Sequence, residues 1–274
     1  MSVPSVEHKP HHHIRTESLP GDTLKPRVVL VGNPNVGKSV VFNYLSGLYV
    51  DVSNFPGTTV EVAKASYLHY DLFDTPGVYG VSSFNDEERV ARDIILNADI
   101  IVNIVDAVHL ERDLFLTQQL IDMGKRVCVV VNMIDEAKKQ KLAVDLATLE
   151  EELDVPVLGT VAIRKEGLDG IHALITRARE GRQREALHAE LHRMLSVVGS
   201  QAEALLVLEG DPIVAARHGI AAADAARREE IYIDRRNRVN RIVHHVVKDV
   251  QTRTVLSTGL GGRAVCLRLG VQLT

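Results

Sequence analysis

The stretch Gly32-Asn33-Pro34-Asn35-Val36-Gly37-Lys38-Ser39 decides how this chain is read. It fits the pattern GxxxxGKS, and its surroundings give the pattern meaning. Before it runs Val28 to Gly32 (VVLVG), a short, wholly apolar, β-branched segment of the kind that forms a strand buried on both faces of a parallel sheet. After it, Val40, Val41, Tyr44 and Leu45 recur at helical spacing. Strand, glycine loop and helix start, in that order, make a phosphate-binding loop rather than a plain tight turn. Gly32 and Gly37 allow the backbone to wrap so that its N–H groups face a phosphate, and the helix start adds a favourable dipole. In this reading Lys38 bridges the outer phosphates and the Ser39 hydroxyl ligates Mg²⁺. Asn33, Pro34, Asn35, Val36 and Val40 complete the stretch expected to line the nucleotide.

Working outward, Asp74 to Gly77 (DTPG) supplies what the loop lacks, a carboxylate for the metal and a glycine N–H for the terminal phosphate. It closes a strand-like run from Tyr67 to Phe73. Asn132 to Asp135 (NMID) follows another apolar run, Val127 to Val131. A carboxylate at Asp135 accepts from the N1–H and the N2 amino group of guanine, a donor pair that adenine lacks, while Asn132 braces the loop. The position usually held by lysine is Met133, whose stem can still cover the base, so GTP specificity with somewhat weaker affinity is expected. Between loop and DTPG, Val52 to Glu61 (VSNFPGTTVE) reads as a Gly/Pro-flanked loop, with Asn54, Gly57, Thr58 and Thr59 facing the nucleotide. One of its threonines caps the metal only when the terminal phosphate is present, which makes the segment a switch. Thr160 to Gly167 (TVAIRKEG) stands where a last guanine loop belongs, with Val161 and Ala162 as its candidate contacts, although it lacks a Ser-Ala pair.

With 274 residues, 45% hydrophobic and 25% charged, the chain can bury a full α/β core with material left for a second unit. Further apolar runs at Ile100 to Val105 and Val155 to Leu158 alternate with helical stretches at Asp86 to Asn97, Leu110 to Met123 and Asp145 to Glu152. That alternation predicts an α/β fold, a doubly wound, mostly parallel sheet of the P-loop GTPase type. After about Arg179 the sequence turns rich in Ala, Leu, Arg and Glu, with helical periods at Leu187, Leu191, Leu195 and Val198 and at Ile231, Val239, Ile242 and Val246, and no strand run. Asp211 before Pro212 fits a helix cap and first-turn proline. The expected organisation is an arm at 1–25, a nucleotide-binding domain at 26–180, a small all-α helical domain at 181–256 and an unassigned tail at 257–274. A net charge of −4 gives no global footprint for nucleic acid. Arg227, Arg228, Arg235, Arg236 and Arg238 alternate with Glu229, Glu230 and Asp234 and read as a solvated helix face. Cys128 and Cys266 show no ligand or disulfide pattern, which suits a reducing compartment. No run of about 18 uncharged apolar residues exists, so the chain as given reads as soluble. His11 to His13 read as part of the arm, not as a metal site.

These motifs resemble one family, the cytosolic N-terminal region of bacterial ferrous iron transport protein B (FeoB). The likeness rests on GNPNVGKS, NFPGTTVE, DTPGVYG followed by DEERVARD, the run Asp106 to Leu120 (DAVHLERDLFLTQQL) and NMIDEA with methionine in the lysine place. Leu205 to Pro212 (LLVLEGDP) is similar to the family's helical insert. The resemblance implies a GTPase switch that regulates or powers Fe²⁺ uptake at the cytoplasmic face of the bacterial inner membrane. Its helical domain slows nucleotide release, a membrane-embedded iron-transporting domain is its partner, and small cytosolic accessory proteins are further candidates. It also assigns Thr59 and Asp74 to Mg²⁺ and Asn35 to a K⁺ beside the phosphates. Basal hydrolysis is expected to be slow, since Val78 follows the DTPG glycine where signalling GTPases carry a water-orienting glutamine. Two other readings share these loops: a ribosome-assembly or tRNA-modifying GTPase, and a regulatory nucleotide-binding module with negligible turnover.

Overall fold

The computed structural model describes residues 25–47, 50–55, 58–82 and 85–249. The predicted arm up to residue 24, Gly57 of the switch segment and the tail at 257–274 lie outside the described residues. The chain runs β1 (Arg27–Gly32), α1 (Lys38–Ser46), β2 (Asp51–Asn54), β3 (Glu61–Tyr67), β4 (Tyr70–Asp74), α2 (Asp86–Leu96), β5 (Ile100–Asp106), α3 (Leu110–Asp122) and β6 (Val127–Asn132). It continues through α4 (Ile134–Lys139), β7 (Leu142–Val144), α5 (Leu146–Leu153), β8 (Val157–Gly159) and α6 (Ile171–Thr176). Four helices follow, α7 (Glu185–Val198), α8 (Gln201–Leu208), α9 (Pro212–Arg217) and α10 (Ala225–Val246), and then β9 (Val247–Asp249).

Seven strands form one sheet in the order β2-β3-β4-β1-β5-β6-β8. From β4 to β8 the neighbours are parallel, and β2 and β3 add an antiparallel edge. The apolar runs explain the central strands. Val29 and Val31 of β1 enter one core with Val129 and Val131 of β6, whereas Val28 and Leu30 enter the other with Cys128 and Val130. A strand whose two faces both meet apolar layers needs hydrophobic residues at every position, which is why alternation is missing from the sequence. On one face lie α1 and α6 through Val41, Phe42, Leu45, Ile171, Leu174 and Ile175. On the other lie α2, α3 and α5, and the helices α7 to α10 join the same continuous core through Leu187, Leu191, Leu205, Val239 and Ile242.

The register Leu30↔Asp74, Gly32↔Ile104 and Asp106↔Asn132 brings the carboxyl ends of four parallel strands to one edge. Open α/β sheets bind ligands in the crevice outside that edge.

Several expectations are corrected. The run Tyr67 to Phe73 is not one strand but the turn of a hairpin, with Tyr67 paired to Tyr70 and Leu68 at φ 54° between them. Val52 to Asn54, expected in a loop, belong to β2, and Glu61 opens β3. All four β2 residues are exposed, so burial left no apolar signal there. The helical region ends in a strand after all, since β9 pairs antiparallel with β7, each only three residues long. The last sheet strand is Val157–Gly159 and not Val155 to Leu158. Arg235 does not sit on a solvated face but is buried among carboxylates. Asp211 caps α9 as predicted, its Oδ1 accepting from the N–H groups of Ile213 and Val214 at 2.9 and 3.0 Å.

Candidate nucleotide site

The segment between β1 and α1 closes over the sheet edge with Asn35 at φ 66° and Gly37 at φ 90°. A Cβ on Gly37 would lie 2.4 Å from Asn132 Nδ2, so the left-handed backbone and the close approach both require glycine. At Gly77 a Cβ would lie 2.9 Å from Pro34 Cα, so the DTPG segment and the loop touch backbone to backbone. Their contact is fixed further by Val78 N–H donating to Gly32 O at 3.1 Å and by the Thr75 hydroxyl donating to Leu30 O at 2.8 Å.

Three polar groups meet at the start of α1. Lys38 Nζ lies 2.5 Å from Asp74 Oδ1, and Ser39 Oγ donates to Asp74 Oδ2 at 3.0 Å. The ammonium supplies positive charge at a helix N-terminus where an anion is already favoured. The hydroxyl and the carboxylate are hard oxygen donors converging on one point, and so fit Mg²⁺, which binds through few protein oxygens and substrate phosphates. Bound there, the ion would neutralise phosphate charge, held by Ser39 and Asp74.

Asn132 links this end to the base end. Its Nδ2 donates to Val36 O at 2.9 Å, while its Oδ1 accepts from Thr160 Oγ1 at 3.1 Å and from Ala162 N–H at 2.9 Å. These three bonds hold the 32–39 loop against the 160–167 loop, in line with the bracing role read from NMID. Met133 adopts φ 62° and turns the chain so that Asp135 faces the cleft. The cleft measures about 720 Å³ and is lined by Pro34, Asn35, Gly37, Lys38, Ser39, Val40, Gly77, Asn132, Met133, Asp135, Val161 and Ala162. Gly32, Asn33 and Val36 lie buried behind it.

Some predicted contacts are not brought together. Thr59 and Asn54 are exposed and lie outside the cleft lining. The Thr58 hydroxyl donates to Phe55 O at 3.0 Å and accepts from Val60 N–H at 3.2 Å, so it closes its own turn. Asp135 Oδ2 is paired at 2.9 Å with Arg164 Nη1, which the sequence reading missed. Glu87 and Ile163 also line the cleft unforeseen.

The run Asp106 to Leu120 braces the loop from behind. Asp113 accepts from Asn33 Nδ2 at 2.6 Å and from the Asp106 N–H at 2.8 Å. Burial pushes the Asp113 carboxyl above its ordinary pKa, although Arg112 at 2.8 Å opposes the shift. Gln119 Oε1 accepts from Val81 N–H at 2.9 Å and its Nε2 donates to Glu209 Oε2 at 2.5 Å. The Ser82 hydroxyl donates to the same oxygen at 2.9 Å. The segment just after DTPG is thus tied directly to the residue between α8 and α9.

A glycine loop at a sheet edge with Lys38, Ser39 and Asp74 converging beside it, on a mostly parallel sheet with flanking helices, is the architecture of a P-loop GTPase domain. The profile described as "Ferrous iron transport protein B" matches residues 26–175. The chain belongs to that family. It is 41% identical over 145 residues to the Helicobacter pylori "Fe(2+) transporter FeoB", covering 51% of this chain and 23% of that protein. Like its other curated relatives, that protein is about four times as long as the stretch matched. The structure of the cytosolic domain of L. pneumophila FeoB superposes with a TM-score of 0.72 at 27% identity, covering 81% of this chain and 99% of that one. The T. maritima cytosolic domain in its GMPPNP form gives 0.69 at 28% identity, with 82% and 100% covered.

Proposed function

We propose that this chain binds GTP with Mg²⁺, hydrolyses it slowly, and thereby gates or powers Fe²⁺ uptake by a membrane-embedded domain on whose cytoplasmic side it works. The observation that carries the reading is the single cleft joining Lys38, Ser39 and Asp74 at one end to Asp135 at the other, with Asn132 holding the two ends in register. Its sub-sites match a triphosphate and a guanine base. Lys38 and the loop amides bind and orient the phosphates, and closure of the Thr59 segment over the terminal phosphate would exclude water other than the attacking one. Val78 is buried and offers no group to that water. A K⁺ beside Asn35, adding positive charge where other systems insert an arginine, would raise a slow basal rate.

The helices α7 to α10 act on release through Glu209, which holds Ser82 and Gln119 beside the DTPG segment. A change in that segment on loss of the terminal phosphate must therefore strain or break contacts to α8 and α9. The buried pair Arg92–Asp211, at 2.9 Å, ties α2 to the same place.

The test is iron influx into vesicles holding a full-length transporter that carries this chain as its nucleotide-binding region. GTP should support influx and fail to do so with Asp135→Asn, whereas xanthosine triphosphate should restore it to that variant. Influx indifferent to nucleotide in both proteins would refute the proposal.

A further inference from the structure

Asp135 is the carboxylate that should read guanine, yet in this structure its Oδ2 accepts from Arg164 Nη1 at 2.9 Å. Arg164 is not a stray surface residue. Its Nε donates to Glu166 Oε1 at 2.7 Å and its Nη2 reaches Glu166 Oε2 at 3.4 Å, so the fork is aimed. The loop beneath it is closed by Val161 N–H to Glu166 O at 3.0 Å and Glu166 N–H to Val161 O at 3.3 Å. Asn132 anchors the same loop through Ala162 N–H. The side chain of Asp135 is 17% exposed, whereas that of Arg164 is half exposed.

The chemistry of the two donors is alike. Guanine presents N1–H and the N2 amino group across one carbon, and a guanidinium presents two N–H groups across one carbon. A carboxylate accepts from either, and here a single N–H of Arg164, on Nη1, takes one oxygen of Asp135 while Nε and Nη2 engage Glu166. An Asp135 Oδ2 that already holds a charge-assisted bond from Arg164 has less to offer a second donor. We propose that Arg164 is an intramolecular competitor for the guanine-reading carboxylate, lowering nucleotide affinity by the stability of its pair with Asp135. This rests on the guanine-nucleotide reading above. The pair also satisfies a partly buried carboxylate that would be unfavourable unpaired.

The proposal has a sign opposite to the simplest electrostatic expectation. Removing a cation beside an anionic ligand should weaken binding. Removing a competitor should tighten it. Titration of fluorescent GDP with Mg²⁺ into the wild-type chain, Arg164→Ala, Arg164→Lys and the neighbouring charge control Lys165→Ala distinguishes these. Arg164→Ala is expected to lower Kd for GDP about two- to fivefold, the range a half-exposed pair sustains. Arg164→Lys, which keeps the charge and loses the planar fork, should lie on the same side of wild type. Lys165→Ala and the binding of inorganic pyrophosphate, which has no base, should not tighten. Unchanged or weaker GDP binding in Arg164→Ala would overturn the proposal alone. Failure of wild type to bind GDP would overturn the nucleotide reading with it.

Discussion

Replacing Arg235 with leucine removes a guanidinium placed between two buried carboxylates. Arg235 Nε donates to Asp122 Oδ2 at 3.1 Å and its Nη2 lies 2.7 Å from Glu209 Oε1, with all three side chains nearly inaccessible to water. Deleting one partner of a buried pair typically costs 3–5 kcal/mol, because the partner left behind keeps its desolvation penalty. Two features place this site at the low end. Arg238 remains 3.9 Å from Asp122 Oδ1, and Glu209 Oε2 keeps its bonds from Ser82 and Gln119. A loss of about 3 kcal/mol is expected, a fall in Tm of roughly 6–12 °C for a chain of this size. The loss should depend on pH. Burial already raises the Asp122 carboxyl above its ordinary value, and Arg235 opposes that rise. Without Arg235 the folded-state pKa climbs further above the unfolded one, so its contribution is present at acid pH and is lost as pH rises through the folded value. Thermal unfolding followed by circular dichroism should show a larger deficit at pH 8 than at pH 5.5, and Asp122→Asn added to Arg235→Leu should recover part of it. A deficit under 1 kcal/mol, or one that grows toward acid pH, would refute the reasoning.

The remaining predictions concern the cleft. Asp135→Asn should lose GTP and gain xanthosine triphosphate by a factor on the order of 10⁴, the discrimination that buried polar partners achieve; nucleotide competition measures it, and unchanged GTP affinity would show that another group reads the base. Thr59→Ala should leave GDP affinity nearly unchanged while lowering phosphate release, whereas equal loss of both would mean the residue supports the fold. Wild type should release phosphate from GTP faster in KCl than in NaCl at matched ionic strength, and Asn35→Ala should abolish that difference while GTP still binds. Equal rates in the two salts would remove the K⁺ assignment and leave Asn35 as a loop-bracing residue.

The parts of the molecule legible in the sequence are those where chemistry demands residue types at short fixed spacing. Gly32, Gly37, Lys38 and Ser39 lie within eight positions, and the structure shows the strand, the left-handed glycine and the helix start that the spacing requires. The buried central strands were equally legible, since two apolar faces leave a continuous hydrophobic run. What stayed hidden is polar and long-range. Arg92 finds Asp211 across 119 positions and Arg235 finds Asp122 across 113, and nothing local distinguishes these arginines from the exposed Arg228. Arg164 hid for a milder reason, because an Arg-Lys-Glu triplet in a loop reads as solvated charge until the fold swings it onto Asp135. β2 escaped because an exposed edge strand carries no burial pattern.

The central claim is that one cleft holds the phosphates at Lys38 and chooses guanine at Asp135. The most direct measurement is equilibrium binding of GTP and of ATP to the wild-type chain with Mg²⁺, paired with phosphate release from each. Saturable GTP binding with slow phosphate release is expected, with ATP weaker by a factor on the order of 10⁴. ATP bound and hydrolysed as well as GTP would contradict it.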